Sequence, residues 1–261
     1  MTIHDCLLKL LDKFIDVCEK NNLNYFLDGG TLLGVVRDGK LIDWDDDVDI
    51  IMPREDFNKL QEISKQCFTD EFMYQTALND NIFAVCPRLR LSSTTALTTR
   101  EKDADCNKGI FLDVFPLDAL PDDNTKINDI IGFLRTVGKH SRAEWKHAHS
   151  DCDIDLAATY RCIQDIITDV SKQYSDSKYV ANVMLYRYSD YSYVKFRREA
   201  YSDYLLYRLE GLSRNVRIPI GFNEILCAWY GYDWKTARQE SAGHGDVIYD
   251  PNVSYQTMED K

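Results

Sequence analysis

Long apolar runs are missing from this chain of 261 residues. Stretches such as Ile130-Ile131-Gly132-Phe133-Leu134 fall far short of the roughly 18 residues that a membrane-spanning helix needs. The opening Met1-Thr2-Ile3-His4-Asp5 has neither the basic nor the apolar region of a secretory signal, so a cytoplasmic protein with no transmembrane segment is expected. Positive charge is scarce: 31 Lys and Arg stand against 43 Asp and Glu, a formal net charge of −12. That excess argues against a nucleic-acid binder, because phosphate backbones are held by clustered Lys and Arg. A single nucleotide stays compatible with it, since one metal ion and a few local arginines can meet its charge. Paired cysteine motifs are missing too: the eight cysteines contain no C-x-x-C, which removes the usual zinc sites. Without an export signal, reduced thiols are expected in place of a disulfide framework.

What is present belongs to an ordinary globular protein, with 44% hydrophobic and 28% charged residues. Ile3, Leu7, Leu8, Leu11, Phe14, Ile15 and Cys18 recur at helical steps, and Asn21-Asn22 closes that helix. Tyr25–Leu27 reads as a short strand entering a Gly29-Gly30 turn, with a short helix over Thr31–Val36. A strand over Asp47–Met52 is stopped by Pro53, and a helix follows over Arg54–Cys67. Three more strands are expected at Phe72–Thr76, Phe83–Leu91 and Gly109–Val114, the last ended by Pro116. Beyond Asn124 the pattern predicts helices over Ile127–Val137, Leu156–Tyr174, Tyr201–Leu212 and Phe222–Tyr230, and a short strand at Val216–Pro219. Leu120–Asn124 is the expected seam between an α/β core (1–120) and a mainly helical C-terminal part (121–261), packed together as one unit. The class is α+β.

Four carboxylates fall in five positions: Asp45, Asp46, Asp47 and Asp49. Asp47 and Asp49 alternate with Val48 and Ile50, and side chains two apart on a strand share a face. Asp113 sits likewise between Leu112 and Val114. Aspartate is depleted in strands and costly to bury alone, so these three acids call for a ligand. A hard divalent ion such as Mg²⁺, which takes oxygen ligands and binds substrate phosphates, answers that need. Asp45 shares the strand face and is a further candidate ligand; Asp46 points the other way, to a salt bridge or cap. Asp28 and Asp43 read as ordinary turn acids.

Gly29-Gly30-Thr31 fits two descriptions: a tight turn needing positive φ, or a phosphate cradle at a helix start with the Thr31 hydroxyl as an added donor. Arg37 is a candidate phosphate contact or a surface salt bridge to the Asp43–Asp47 cluster, and Arg88 and Arg90, alternating on a strand, are candidate donor contacts or exposed strand residues. His147-x-His149 and His244 lack partners at zinc spacing and read as surface residues. The tyrosine-dense stretch Tyr186–Tyr207 reads first as packing aromatics and second as a carbohydrate or quaternary-ammonium surface.

Three stretches carry a family likeness: Gly29-Gly30-Thr31-Leu32-Leu33-Gly34-Val35-Val36-Arg37, then Trp44 to Phe57, then Phe111 to Asp118. They resemble the LicD (phosphorylcholine transferase) family, which includes the catalytic domains of fukutin and fukutin-related protein and belongs to the nucleotidyltransferase-fold superfamily. The likeness covers about residues 5–235 and loosens after Leu120. It implies a small mixed sheet flanked by helices, with Asp47, Asp49 and Asp113 as a carboxylate triad around Mg²⁺ or Mn²⁺. It also implies transfer of a phospho-alcohol such as phosphocholine from a CDP-linked donor to a sugar hydroxyl of a cell-surface glycan. A lipid-linked acceptor would place such a protein at the inner membrane surface. The rival activities are a true nucleotidyltransferase acting on an NTP and a non-catalytic nucleotide-binding relative.

Overall fold

In the computed structural model the described residues are 1–82, 86–99, 101–133, 136, 155–182, 194–236 and 247–258. Helix α1 (Ile3–Lys20) starts where Thr2 and Asp5 close a reciprocal capping box, which satisfies two otherwise orphaned N–H groups. Its apolar face, from Cys6 to Cys18, is buried against the main sheet. The sheet is built from β1 (Phe26–Leu27), β2 (Asp49–Pro53), β3 (Phe72–Gln75), β4 (Arg88–Leu91) and β6 (Ile110–Leu120), in the order β1-β2-β6-β4-β3. Only β2 and β6 run parallel among these neighbours; the other pairs are antiparallel. Helix α2 (Gly29–Asp38) links β1 to β2, and α3 (Arg54–Cys67) leaves β2 at once. A mixed sheet flanked by helices is an α+β arrangement.

Strand β6 is the axis of the fold, with all eleven of its residues buried. Its near-continuous apolar reading is that of a strand covered on both faces. It does not end at Pro116, as the sequence suggested. Along β6 the N–H groups alternate sides, Asp113 donating to Val48 and Val114 to Pro87. The Pro116 nitrogen therefore faces the β4 side, past the last β4 pairing at Arg88. It also comes before the β7 (Tyr179–Ala181) pairing begins at Asp118. No donor is needed in that gap, so proline is accommodated.

Residues 124–133 form helix α4, followed by α5 (Leu156–Gln173), α6 (Phe222–Tyr230) and a short α7 (Tyr255–Met258). The helix expected over Tyr201–Leu212 is absent. A 3₁₀ turn (Arg198–Tyr201) leads into β9 (Tyr204–Arg208), which pairs with β10 (Asn215–Pro219). A short apolar run is ambiguous by period alone, and here the turn decides it. Gly211 adopts φ +87°, and a side chain there would also meet Leu8. The C-terminal half returns to the core repeatedly: β7 extends β6, β10 packs on β1, and β11 (Val247–Asp250) pairs with β5 (Thr95–Thr98). Short β8 (Phe196–Arg197) pairs with β7.

One buried ion pair fastens these parts together. Arg54 forks onto Asp118 through Nε and Nη2 at 2.6 and 2.9 Å, and its Nη1 reaches Gln164 on α5 at 2.8 Å. Helix α3, strand β6 and helix α5 thus share one guanidinium. Asp118→Ala strands that charge in the interior and is expected to cost about 3–5 kcal/mol. Urea unfolding measures the loss; an unchanged midpoint would show the pair to be dispensable.

Candidate active site

The parallel register of β2 and β6 sets Asp49 beside Asp113. Asp47 lies two residues upstream, in the segment entering β2, and Val48 between them accepts the Asp113 N–H at 2.9 Å. One carboxylate oxygen from each of Asp47, Asp49 and Asp113 lies within 4.8 Å of the others. Asp45, Asp46 and Asp47 form a second grouping on the same criterion, so Asp47 is common to both.

The helix start is fitted to these acids. Asp28 N–H donates to the Asp49 carbonyl at 3.1 Å, and the Asp49 N–H donates to Thr31 Oγ1 at 2.9 Å. Gly29 adopts φ +53°, and a Cβ there would collide with Asp49 Oδ2. A Cβ on Gly30 would come within 2.6 Å of Asp45 Oδ2. Both glycines sit close against carboxylates, and the positive φ of Gly29 favours glycine there. The N–H groups of Gly30 and Thr31 open the helix with no acceptor among the described residues, as the first turn of any helix leaves them.

Burial, then Asp47, Asp113, Asp28 and Asp45 in turn, push Asp49 well above the usual carboxylate range. Asp28, 2% exposed and with Oδ1 unpartnered, is raised by burial to about 6. The neighbouring cation is Arg88, whose Nε donates to Asp113 Oδ1 at 2.9 Å and Nη1 to Glu101 Oε1 at 2.5 Å. Its guanidinium stacks 4.1 Å from the Phe111 ring centre. Burial works against its charge, but Asp113 and Glu101 outweigh that and hold it protonated.

The other residues singled out in the sequence are placed differently. The Thr31 side chain, 1% exposed, seats Asp49 by accepting its N–H through Oγ1. Arg90 is fully buried, bonded to Gln75, Gly109 and Glu101 behind Phe111, and does not line the site. Arg37 closes onto its neighbour Asp38 at 2.7 Å. Asp43 pairs with Lys40 on the surface. Asp46 accepts the Tyr249 hydroxyl at 2.9 Å, from a strand 203 residues further on. His147, His149, His244 and Tyr186 to Tyr193 lie outside the described residues.

Several participants had no local signal. His4 Nε2 meets the Asp45 carbonyl at 2.9 Å and ties α1 to the acidic loop. Tyr230, at the end of α6, is held protonated by burial and then by the charges of Asp49, Asp28, Asp45 and Asp47. Glu101, not singled out in the sequence, bridges Arg88 and Arg90. A buried Arg-x-Arg pair needs an acid, and that was the one available clue.

A mixed sheet that aligns acids from adjacent parallel strands beside a Gly-Gly helix start is an arrangement that could hold a divalent cation next to a phosphate. The family model described as LicD/FKTN/FKRP, nucleotidyltransferase domain, matches residues 22–160, and the chain belongs to that family of LicD-type phosphotransferases. Over 251 residues it is 25% identical to lipopolysaccharide cholinephosphotransferase LicD of Haemophilus influenzae, spanning 89% of this chain and 90% of that protein. An uncharacterized protein of Rickettsia prowazekii is 31% identical over 116 residues, 44% of this chain and 40% of that one. Among the described residues no helix is long and apolar enough to cross a membrane.

The raised Asp49 has a consequence for stability without metal. Between the ordinary value of 3.8 and its higher folded value, the native state binds the extra proton, so stability falls as pH rises through that window. In EDTA, Asp49→Asn should therefore melt higher than the unmutated protein at pH 8, with the gap closing toward pH 4. Thermal scans across that range check it; a lower melting point at pH 8 would contradict the assigned repulsion.

Proposed function

We propose that the protein moves a phospho-alcohol of the phosphocholine type from a CDP-linked donor to a sugar hydroxyl of a cell-surface glycan, with Mg²⁺ or Mn²⁺ as cofactor. One observation carries the reading: Asp47, Asp49 and Asp113 bring oxygens within 4.8 Å of one another beside an open helix start. The near full-length likeness to a lipopolysaccharide cholinephosphotransferase supports the choice of substrate. The donor set is all carboxylate oxygen, which suits a hard divalent ion and not a soft one. Held by these three acids, such an ion would supply charge neutralisation on the phosphoryl oxygens.

The protein's own groups do the rest. The Gly30 and Thr31 N–H groups and the α2 dipole receive a donor phosphate. Arg88, already steered by Asp113 and Glu101, has no partner for Nη2 among the described residues and offers it to a phosphate oxygen. Asp113 carries Arg88 on one oxygen, whereas no hydrogen bond to the Asp49 carboxylate is formed among the described residues. Asp49 is therefore assigned to accept the acceptor's proton. The acceptor oxygen then forms its bond to the phosphorus of the transferred group as the bond to CMP breaks on the opposite side. Tyr230 and Tyr249, one from each C-terminal segment that reaches the acids, help to exclude water. A lipid-linked acceptor would bring the protein to the cytoplasmic face of a membrane.

The competing activity, attack on the α-phosphate of an NTP, releases pyrophosphate instead of CMP. Purified protein with Mg²⁺ is expected to release CMP from CDP-choline, CDP-glycerol or CDP-ribitol in the presence of a glycan acceptor. Pyrophosphate from NTPs, with no CMP from any CDP-alcohol, would overturn the proposal. Asp47→Asn should lower turnover by about 10²-fold or more while leaving the circular dichroism spectrum unchanged, as removal of a charge-stabilising or metal-holding group does.

A further inference from the structure

Two of the three clustered acids are placed by the sheet, and the third is not. Asp49 and Asp113 are partners in the parallel register of β2 and β6. The same strands stay joined back to the Val48 carbonyl, which accepts the Asp113 N–H at 2.9 Å. Residues 45–48 are themselves neither helix nor strand, so Asp47 rides on a segment whose course strand pairing does not dictate.

A side chain from the far end of the chain reaches that segment. The Tyr249 hydroxyl donates to Oδ2 of Asp46, the residue before Asp47, at 2.9 Å. Burial, then Asp46 and Asp47, keep this hydroxyl protonated, as a donor must be. Its ring is seated independently of the bond: along β11, Val247 and Tyr249 pack on the core while Ile248 is 57% exposed. Tyr249 is the register partner of Ala96 on β5, and the Ala96 N–H donates to the Lys108 carbonyl at 2.7 Å. The Thr94 hydroxyl accepts the N–H of Ile110, the first residue of β6, at 2.9 Å. Beyond β11, Ser254 Oγ donates to the Ser92 carbonyl at 3.0 Å. The phenol is thus carried on a frame fastened to the start of β6, the strand that bears Asp113.

We propose that Tyr249 is a positioning residue for the acidic centre: its hydroxyl is a strut from the β6 side to Asp46, and through Asp46 it sets where Asp47 stands relative to Asp113. One oxygen from each of Asp45, Asp46 and Asp47 lies within 4.8 Å of the others, so like charges press this irregular segment apart. A charge-assisted hydrogen bond on one member offsets part of that pressure and fixes its direction. The inference rests on the metal-dependent reading given under the proposed function. The hydroxyl acts without touching the ion or the substrate.

The test is Mn²⁺ titration of the whole protein by electron paramagnetic resonance, which counts free ion and needs no substrate. Tyr249→Phe keeps the packed ring and removes only the donor. It should weaken Mn²⁺ binding by about 10-fold, the usual scale for groups that orient a metal site from outside it. Ser254→Ala loosens the same strap away from the acids and should bind Mn²⁺ as the unmutated protein does. Unchanged affinity in Tyr249→Phe, whatever its melting temperature, would overturn the role of the hydroxyl while leaving the metal centre standing. An equal loss in both variants would assign the effect to the strap as a whole and overturn it too. Failure of the unmutated protein to bind Mn²⁺ at all would instead remove the metal-dependent reading, and this proposal with it.

Discussion

Like charges are forced together where two parallel strands run side by side, and much of the molecule is arranged around that repulsion. The pairing of Asp49 with Asp113 is fixed by backbone hydrogen bonds in the middle of a buried sheet. The resulting electrostatic cost appears in the raised Asp49, and part of it is offset by Arg88. A cluster of carboxylates that repel one another in this way is the kind of perturbed group that gathers at functional sites.

The supporting structure can be understood as a way to hold this arrangement still. The glycine pair lets α2 approach the acids more closely than any side chain would permit. Thr31 and Asp28 fasten the first turn of that helix to the backbone of Asp49 from both sides. On the far side, Arg88 and Arg90 share one acid and one aromatic ring, so that two buried cations are satisfied by a single compact unit. The C-terminal half also reaches the acidic loop, where Tyr249 bonds Asp46. Arg54 joins the same half to β6 from inside.

Much of the first half of the fold was legible because its elements have strong local signals. Helix α1 shows its period and its cap, and the Gly-Gly turn and Pro53 punctuate the strands on either side. The boundaries failed where a neighbour, and not the local sequence, made the decision. Pro116 reads as a terminator until the gap between β4 and β7 is known. Tyr204–Arg208 reads as helix until β10 is available to pair with it. Thr31 and Arg90 looked suited to phosphate by residue type, yet burial and prior partners engage both elsewhere.

By itself the sequence determined that acids would alternate with apolar residues on two strands, and that a glycine pair would precede one of them. Alternation is a property of neighbouring residues, and the cost of burying aspartate is intrinsic to the side chain. Only the tertiary structure decided that the two strands lie side by side in register, that Glu101 bridges Arg88 and Arg90, and that Tyr249 returns to Asp46. Those contacts join residues 11 to 203 positions apart. At such separations no local period or propensity reports a neighbour; sheet register and side-chain packing do.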